Sequence, residues 1–202
     1  MLLKIFLIIY LILFFGIAFF WRSYKTWQAT GVNPYRLASE GYQQDNIHGL
    51  MSRLLRLISA GTVGVVLIYA VAGDVYSYLG PIVWLQTSPI TVIGLVMLLV
   101  SLLWVMVAQS QMGNSWRIGI DSESKTALVM RGVFGLSRNP IFLGMRVNLA
   151  GLFLVLPNAF TFALWVLGDV IIRAQVYLEE EYLLQSHGQV YEQYRQRVRR
   201  WL

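Results

Sequence analysis

Between Leu128 and Val198 the chain sets charged and polar residues against apolar runs, where a bilayer makes them costly and where such groups usually mark a site. Arg138-Asn139-Pro140 stands before one apolar run, Arg146 lies within it, Asp169 and Arg173 lie within the next, and Glu179-Glu180-Glu181 follows. On a helix, positions 169, 173, 176 and 180 share one face, so Asp169 and Arg173 can pair and Glu180 falls below Arg173. Two kinds of chemistry follow from these residue types. A guanidinium such as Arg173 can orient a carboxylate through two parallel hydrogen bonds, and a partly desolvated carboxylate such as Glu179 or Glu180 can attract a cation or deprotonate an amine. Pro140 suits the first turn of a helix, whose N-terminus, with the Arg138 charge beside it, can receive an anionic group.

Each of these residues also has a plainer role. Arg146 can snorkel to lipid headgroups, the Asp169–Arg173 pair can serve only to fix a helix's rotation, and acidic residues at the end of a span can simply be solvated. Gln111, Gly113, Trp116, Gly132 and Gly135 precede Arg138, and their glycines permit either a close backbone approach to a ligand or a turn. His48 and His187 read as surface residues. Tyr177, Tyr182, Tyr191, Tyr194 and Trp201 read as an interfacial aromatic belt, of which one or two can instead face a sulfonium or ammonium group.

The elements that must carry these residues are helices. Leu2 to Trp21 is apolar but for Lys4 and is long enough, at about 1.5 Å per residue, to cross a hydrocarbon core of about 30 Å. Bulky Phe19-Phe20-Trp21 followed by Arg22 favours an uncleaved anchor over a cleaved signal peptide. Leu54 to Leu79, with Gly61, Gly64 and Gly73, and Ile90 to Val107 predict two further spans; Ile141 to Leu156 and Ala159 to Tyr177 are shorter runs joined by Pro157-Asn158, which suits a helical hairpin. The connection from Trp21 to Arg56 holds Arg22, Lys25, Arg36, Arg53 and Arg56 with Gly31 and Asn33-Pro34 as turn formers, and that from Ala108 to Asn139 holds Arg117, Lys125, Arg131 and Arg138. The link from Gly80-Pro81 to Pro89 has neither Lys nor Arg, so both basic connections are expected in the cytoplasm. The tail from Glu179 onward is amphipathic, ends in Arg195, Arg197, Arg199, Arg200 and Trp201, and should lie at the cytoplasmic interface. The expectation is an all-α polytopic membrane protein of about five transmembrane helices, N-terminus outside and C-terminus inside. Residues 1–107 would hold three spans and a cytoplasmic loop over 22–53, and residues 108–202 a loop, the hairpin 140–177 and the tail, with no internal repeat.

Composition agrees. Of 202 residues 57% are hydrophobic and only 13% charged, and a mean hydropathy of +0.59 is too apolar for an ordinary soluble domain. The formal charge of +6 lies beside apolar spans and at the C-terminus, which points to anionic headgroups and not to nucleic acid. With no cysteine and two histidines, disulfides and thiolate sites are excluded and a multi-histidine metal site is not expected.

In order and spacing these features resemble the integral membrane methyltransferases related to isoprenylcysteine carboxyl methyltransferase and the phospholipid N-methyltransferases. That pattern runs Leu-Val-x-x-Gly-x-Tyr, Arg-His-Pro-x-Tyr-x-Gly, an apolar hairpin, Arg, a Glu pair, then Gly-x-x-Tyr-x-x-Tyr with basic residues. Here it reads Leu128-Val129-Met130-Arg131-Gly132-Val133-Phe134, Arg138-Asn139-Pro140-Ile141-Phe142-Leu143-Gly144, Arg173, Glu179-Glu180, Gly188, Tyr191, Tyr194 and Arg197. The resemblance implies S-adenosylmethionine bound from the cytosol in residues 108–202, with Gln111, Leu128, Val129, Gly132, Phe134, Arg138, Asn139, Pro140, Gly144 and Glu180 as cofactor-binding residues. It implies Arg173, Glu179 and Glu180 at the junction with a lipophilic, membrane-embedded acceptor whose carboxylate or amine is methylated. With no organelle signal visible, a bacterial inner membrane is the expected location. Asn139 stands for the family His and Phe142 for the family Tyr, which removes a titratable group and a hydroxyl. Two other readings stay open: a sterol-reductase-type enzyme using reduced nicotinamide, with Arg195 to Arg200 as a phosphate subsite, and a non-catalytic membrane scaffold.

Overall fold

Runs rich in Leu, Ile and Val that are too long for strands fold as helices, which satisfy every backbone group within their own segment when a bilayer surrounds them. The computed structural model describes residues 1–31, 46–113 and 128–202. In chain order, α1 (Leu2–Leu13) passes through a π-helical stretch (Phe14–Trp21) into α2 (Arg22–Thr30), and α3 (Asn46–Val71) and a short α4 (Gly73–Ser77) follow. Then come α5 (Ser88–Met112), a tight turn (Gly132–Gly135), α6 (Pro140–Val155), α7 (Ala159–His187) and α8 (Gln189–Arg197). The stretches Leu2–Ala29, Gly49–Val71, Ser88–Met112 and Ala159–His187 are long and apolar enough to cross a membrane. The 16 residues of α6 rise about 24 Å, less than a hydrocarbon core of about 30 Å. The chain is an all-helical integral membrane protein. Of the residues singled out from sequence, Asn33, Pro34, Arg36, Trp116, Arg117, Lys125 and the side chains of Phe19 and His48 lie outside the described residues.

Two boundaries differ from the sequence expectation. The second span stops at Val71, because Ala72 leaves helical geometry and Gly73-Asp74 starts the separate turn of α4. The helix expected to end near Tyr177 continues to His187. Leu178 to Gln185 are mostly strong helix formers, and no residue breaks the run before Gly188, whose φ of 54° ends it. Asp169, Arg173 and the three glutamates therefore ride on one helix.

The closest pairing is α5 against α6. A Cβ on Gly94 would lie 2.8 Å from the Gly151 carbonyl oxygen, and one on Gly144 would overlap the Val105 side chain. Small residues here let two backbones approach where lipid offers no hydrophobic drive. Around this pair, Leu7, Tyr10 and Phe14 of the first helical rod, Val65 and Val66 of α3, Leu98 and Leu102 of α5, Leu152 and Val155 of α6 and Leu164 of α7 form the core. The buried Tyr10 hydroxyl donates to the Leu98 carbonyl at 3.0 Å. Val92, Val96, Val100, Leu103, Val166, Leu167 and Val170 face outward, an apolar belt that a bilayer solvates.

The α6–α7 hairpin turns on Asn158. Its Oδ1 accepts the Thr161 N–H at 2.9 Å, Thr161 Oγ1 accepts the Asn158 N–H at 3.3 Å, and its Nδ2 donates to the Leu156 carbonyl and the Tyr76 hydroxyl. The Pro157 carbonyl accepts from Ile82 N and the Gly80 carbonyl from Ala159 N, both at 2.9 Å, so this turn is tied to the link after α4. Asn158→Ala is expected to destabilise the protein by about 1–2 kcal/mol, read as a lower thermal midpoint in detergent, because a helix cap and buried donors are lost together. The opposite end of the bundle gathers Met112, Asn139 and His187.

Candidate active site

At that second end the chain folds back on itself. The turn Gly132–Gly135 begins with Gly132 at φ 64°, and a Cβ there would overlap the Gln111 amide. Gln111 Oε1 accepts the Val133 N–H at 2.9 Å, fastening the turn to the end of α5. From the other side the buried Tyr194 hydroxyl of α8 donates to the Phe134 carbonyl at 2.6 Å. Gly132→Ala is expected to cost about 1–3 kcal/mol of stability, measured by thermal unfolding, since it combines an unfavourable left-handed backbone with the loss of the Gln111 contact.

The turn delivers Arg138 and Asn139 to Glu180, which is 5% exposed. Glu180 Oε1 accepts from Arg138 Nε at 3.1 Å, Arg138 Nη2 at 3.0 Å and Asn139 Nδ2 at 2.8 Å. Its Oε2 accepts from Arg200 Nε at 3.1 Å and Arg200 Nη2 at 2.8 Å. Arg138 Nη1 also donates to the Arg195 and Val198 carbonyls, and the Arg138 N–H to the Arg199 carbonyl. One arginine thus clamps the C-terminal strap Val198–Leu202 over the end of α7. Its hydrogen bonds to Glu180 hold the Arg200 guanidinium even more firmly protonated than usual. Tyr191 is 1% exposed; burial first, then the Glu180 carboxylate, raises its phenol above the ordinary value, while burial pushes Tyr194 up to about 12. Both stay neutral at physiological pH. The hydroxyl of Tyr191, the Nε2 of Gln109 and the Oε1 of Gln175 are buried without a hydrogen-bond partner among the described residues. Buried polar atoms are rarely left so.

The sequence pattern of the phospholipid methyltransferase family matches residues 89–190, a span that contains α6, α7 and the whole Arg138–Asn139–Glu180 contact. The chain belongs to the phospholipid methyltransferase family. Searches of the curated proteins and of the solved structures find no match. Family membership makes methyl transfer on a lipid-like substrate of the membrane its class of reaction. The matched span stops short of the strap, so Arg200 and Trp201 are additions to what the family pattern covers.

Against that family pattern the sequence-predicted residues divide. Gln111, Gly132, Phe134, Arg138, Asn139, Pro140 and Glu180 converge on the turn and the end of α7. Leu128 and Val129 are half-buried in the segment leading to Gly132. Gly144 lies in the α5–α6 seam against Val105, little more than one turn along α6 from Pro140. Glu179 is half-buried beside Glu180, and Glu181 is exposed. Arg173 does not reach Glu180: its side chain is 59% exposed and its Nε donates to Asp169 Oδ2 at 2.6 Å, the pair that spacing offered.

Arg146 has protein partners: its Nε donates to Asp169 Oδ1 and its guanidinium lies over the Trp201 ring at 4.3 Å, because α7 brings a carboxylate within reach and the strap brings an indole. Two sequence readings are corrected. Tyr191 and Tyr194 are no interfacial belt, since α8 folds them under the turn. The acidic cluster does not open a separate tail, because helix continues through it. Sequence spacing gives no link between Glu180 and Arg200, which are joined only when the strap is folded back.

Proposed function

We propose that the chain transfers a methyl group from S-adenosylmethionine to a carboxylate or amine of a lipophilic acceptor held in the bilayer. The observation that carries this reading is the buried Glu180 carboxylate, gathered with Arg138 and Asn139 inside the family-matched span. S-adenosylmethionine, when bound, supplies a methyl group already activated by its sulfonium. The chain's residues then have to bind, orient and exclude water.

In this reading Gln111, Leu128, Val129, Gly132 and Phe134 form one wall of the cofactor pocket, and Arg138, Asn139 and Pro140 its opening. Glu180 contributes negative charge, held in place by its arginine and amide partners. Asn139 provides the fixed donor to Glu180 that a neutral histidine would also provide, without titrating. Gly144 acts by letting α6 close on α5, which sets the height of Pro140. Glu179 attracts or deprotonates an acceptor amine, and Arg173 orients an acceptor carboxylate. The Lys- and Arg-rich end of the bundle faces the cytoplasm of a bacterial inner membrane, so cofactor arrives from water and acceptor from lipid. Calorimetric titration of the detergent-purified full chain with S-adenosylmethionine and with reduced nicotinamide cofactor tests the reading. Micromolar binding of the first alone is expected, with labelled methyl passing to the lipid extract of membranes that carry the protein. Binding of neither, or of the nicotinamide alone, would sink it.

A further inference from the structure

Arg146 takes no part in the Glu180 cluster. Its Nε is bound to Asp169 Oδ1, one face of its guanidinium lies on the Trp201 ring at 4.3 Å, and its two terminal amino groups have no hydrogen-bond partner among the described residues. The side chain is 19% exposed. A planar fork fixed at its stem and on one face presents its remaining N–H groups in a set direction. The Asp169 carboxylate is shared between Arg146 and Arg173, so one positive charge stays uncompensated in a place where bilayer makes compensation valuable. Along α6, Arg146 lies seven residues beyond Asn139, about 10 Å deeper into the bundle.

We infer that Arg146 binds an oxyanion, phosphate or carboxylate, near the polar end of the acceptor, and that Trp201 is the positioning residue that holds its guanidinium flat. The inference rests on the reading of the chain as an enzyme with a lipid-like acceptor. Trp201 can do this because the strap is pinned just before it: the Arg199 carbonyl accepts from Arg138 N at 2.9 Å and the Arg200 carbonyl from Ser137 Oγ at 3.2 Å. Its ring packs on Leu149, Ile172 and Val176, in the groove between α6 and α7.

The test uses three amphiphiles of one chain length, hexadecyl phosphate, palmitate and hexadecanol, titrated into the full-length protein in dodecyl maltoside and followed by thermal stabilisation. One or both oxyanions should bind about tenfold or more tighter than hexadecanol, the worth of a charge-assisted fork, and which of them binds distinguishes phosphate from carboxylate. Arg146→Gln should erase the preference, and Arg146→Lys, which keeps the charge near Asp169, should keep only part of it. Trp201→Ala should weaken oxyanion binding while Trp201→Phe restores it, with S-adenosylmethionine affinity unchanged in both. Equal binding of hexadecanol, an unchanged preference in folded Arg146→Gln protein, or loss of cofactor affinity in Trp201→Ala would overturn the inference. Oxyanion binding by a protein that transfers no methyl group would uphold the subsite and refute the proposed function instead.

Discussion

Glu180→Gln is expected to abolish S-adenosylmethionine binding and methyl transfer and to lower stability by about 3–5 kcal/mol, the usual consequence of removing one partner from a buried ion pair. Its carboxylate receives Arg138 and Asn139 on one oxygen and Arg138 and Arg200 on the other. A glutamine amide would turn an N–H toward a guanidinium that is only 9% exposed, leaving a buried cation unpaired and a donor facing a donor. Calorimetric titration and the thermal midpoint in detergent measure the two effects separately. The exposed neighbour supplies the control: Glu181→Gln should leave both unchanged. Wild-type cofactor affinity in a folded Glu180→Gln protein would remove Glu180 from the pocket and reduce its network to a structural clasp.

The second large effect belongs to Arg138→Lys, which conserves charge and loses geometry. Arg138 divides its donors among Glu180, the Arg195 carbonyl at 2.8 Å and the Val198 carbonyl at 3.1 Å. A single ammonium on a flexible stem cannot serve a carboxylate and two carbonyls that lie in different directions. The strap should come loose, with a loss of about 2–4 kcal/mol. Limited trypsin digestion reads this directly, because the strap and the end of α8 are rich in arginine. Cleavage between Arg195 and Arg200 is expected about tenfold faster than in wild type, as opening of the segment becomes more populated. An unchanged digestion rate would mean that packing of Trp201 and the Ser137 contact hold the strap without Arg138.

How much could be read beforehand follows from the range of the forces involved. Helices and their apolar faces come from residue type and periodicity within a few turns, so the spans, the Pro140 start of α6 and the Pro157-Asn158 hairpin were legible in the chain. The Asp169–Arg173 pair was legible for the same reason, since four residues on a helix make neighbours. Boundaries were less so. The expected end near Tyr177 assumed that three glutamates leave the helix, whereas glutamate favours helix and only Gly188 stops it.

The amino-acid sequence by itself therefore determined the membrane class, the helical hairpin and the family. Tertiary structure decided which charges meet across the fold. Arg138 and Arg200 reach Glu180 across 42 and 20 residues, Arg146 reaches Asp169 across 23, and Trp201 reaches Arg146 only because the strap returns over α6. No periodicity links such positions. Their pairing is settled by where the α5–α6 seam and the Gly132 turn set the helix ends, and by the cost of leaving any one of these charges alone beside lipid.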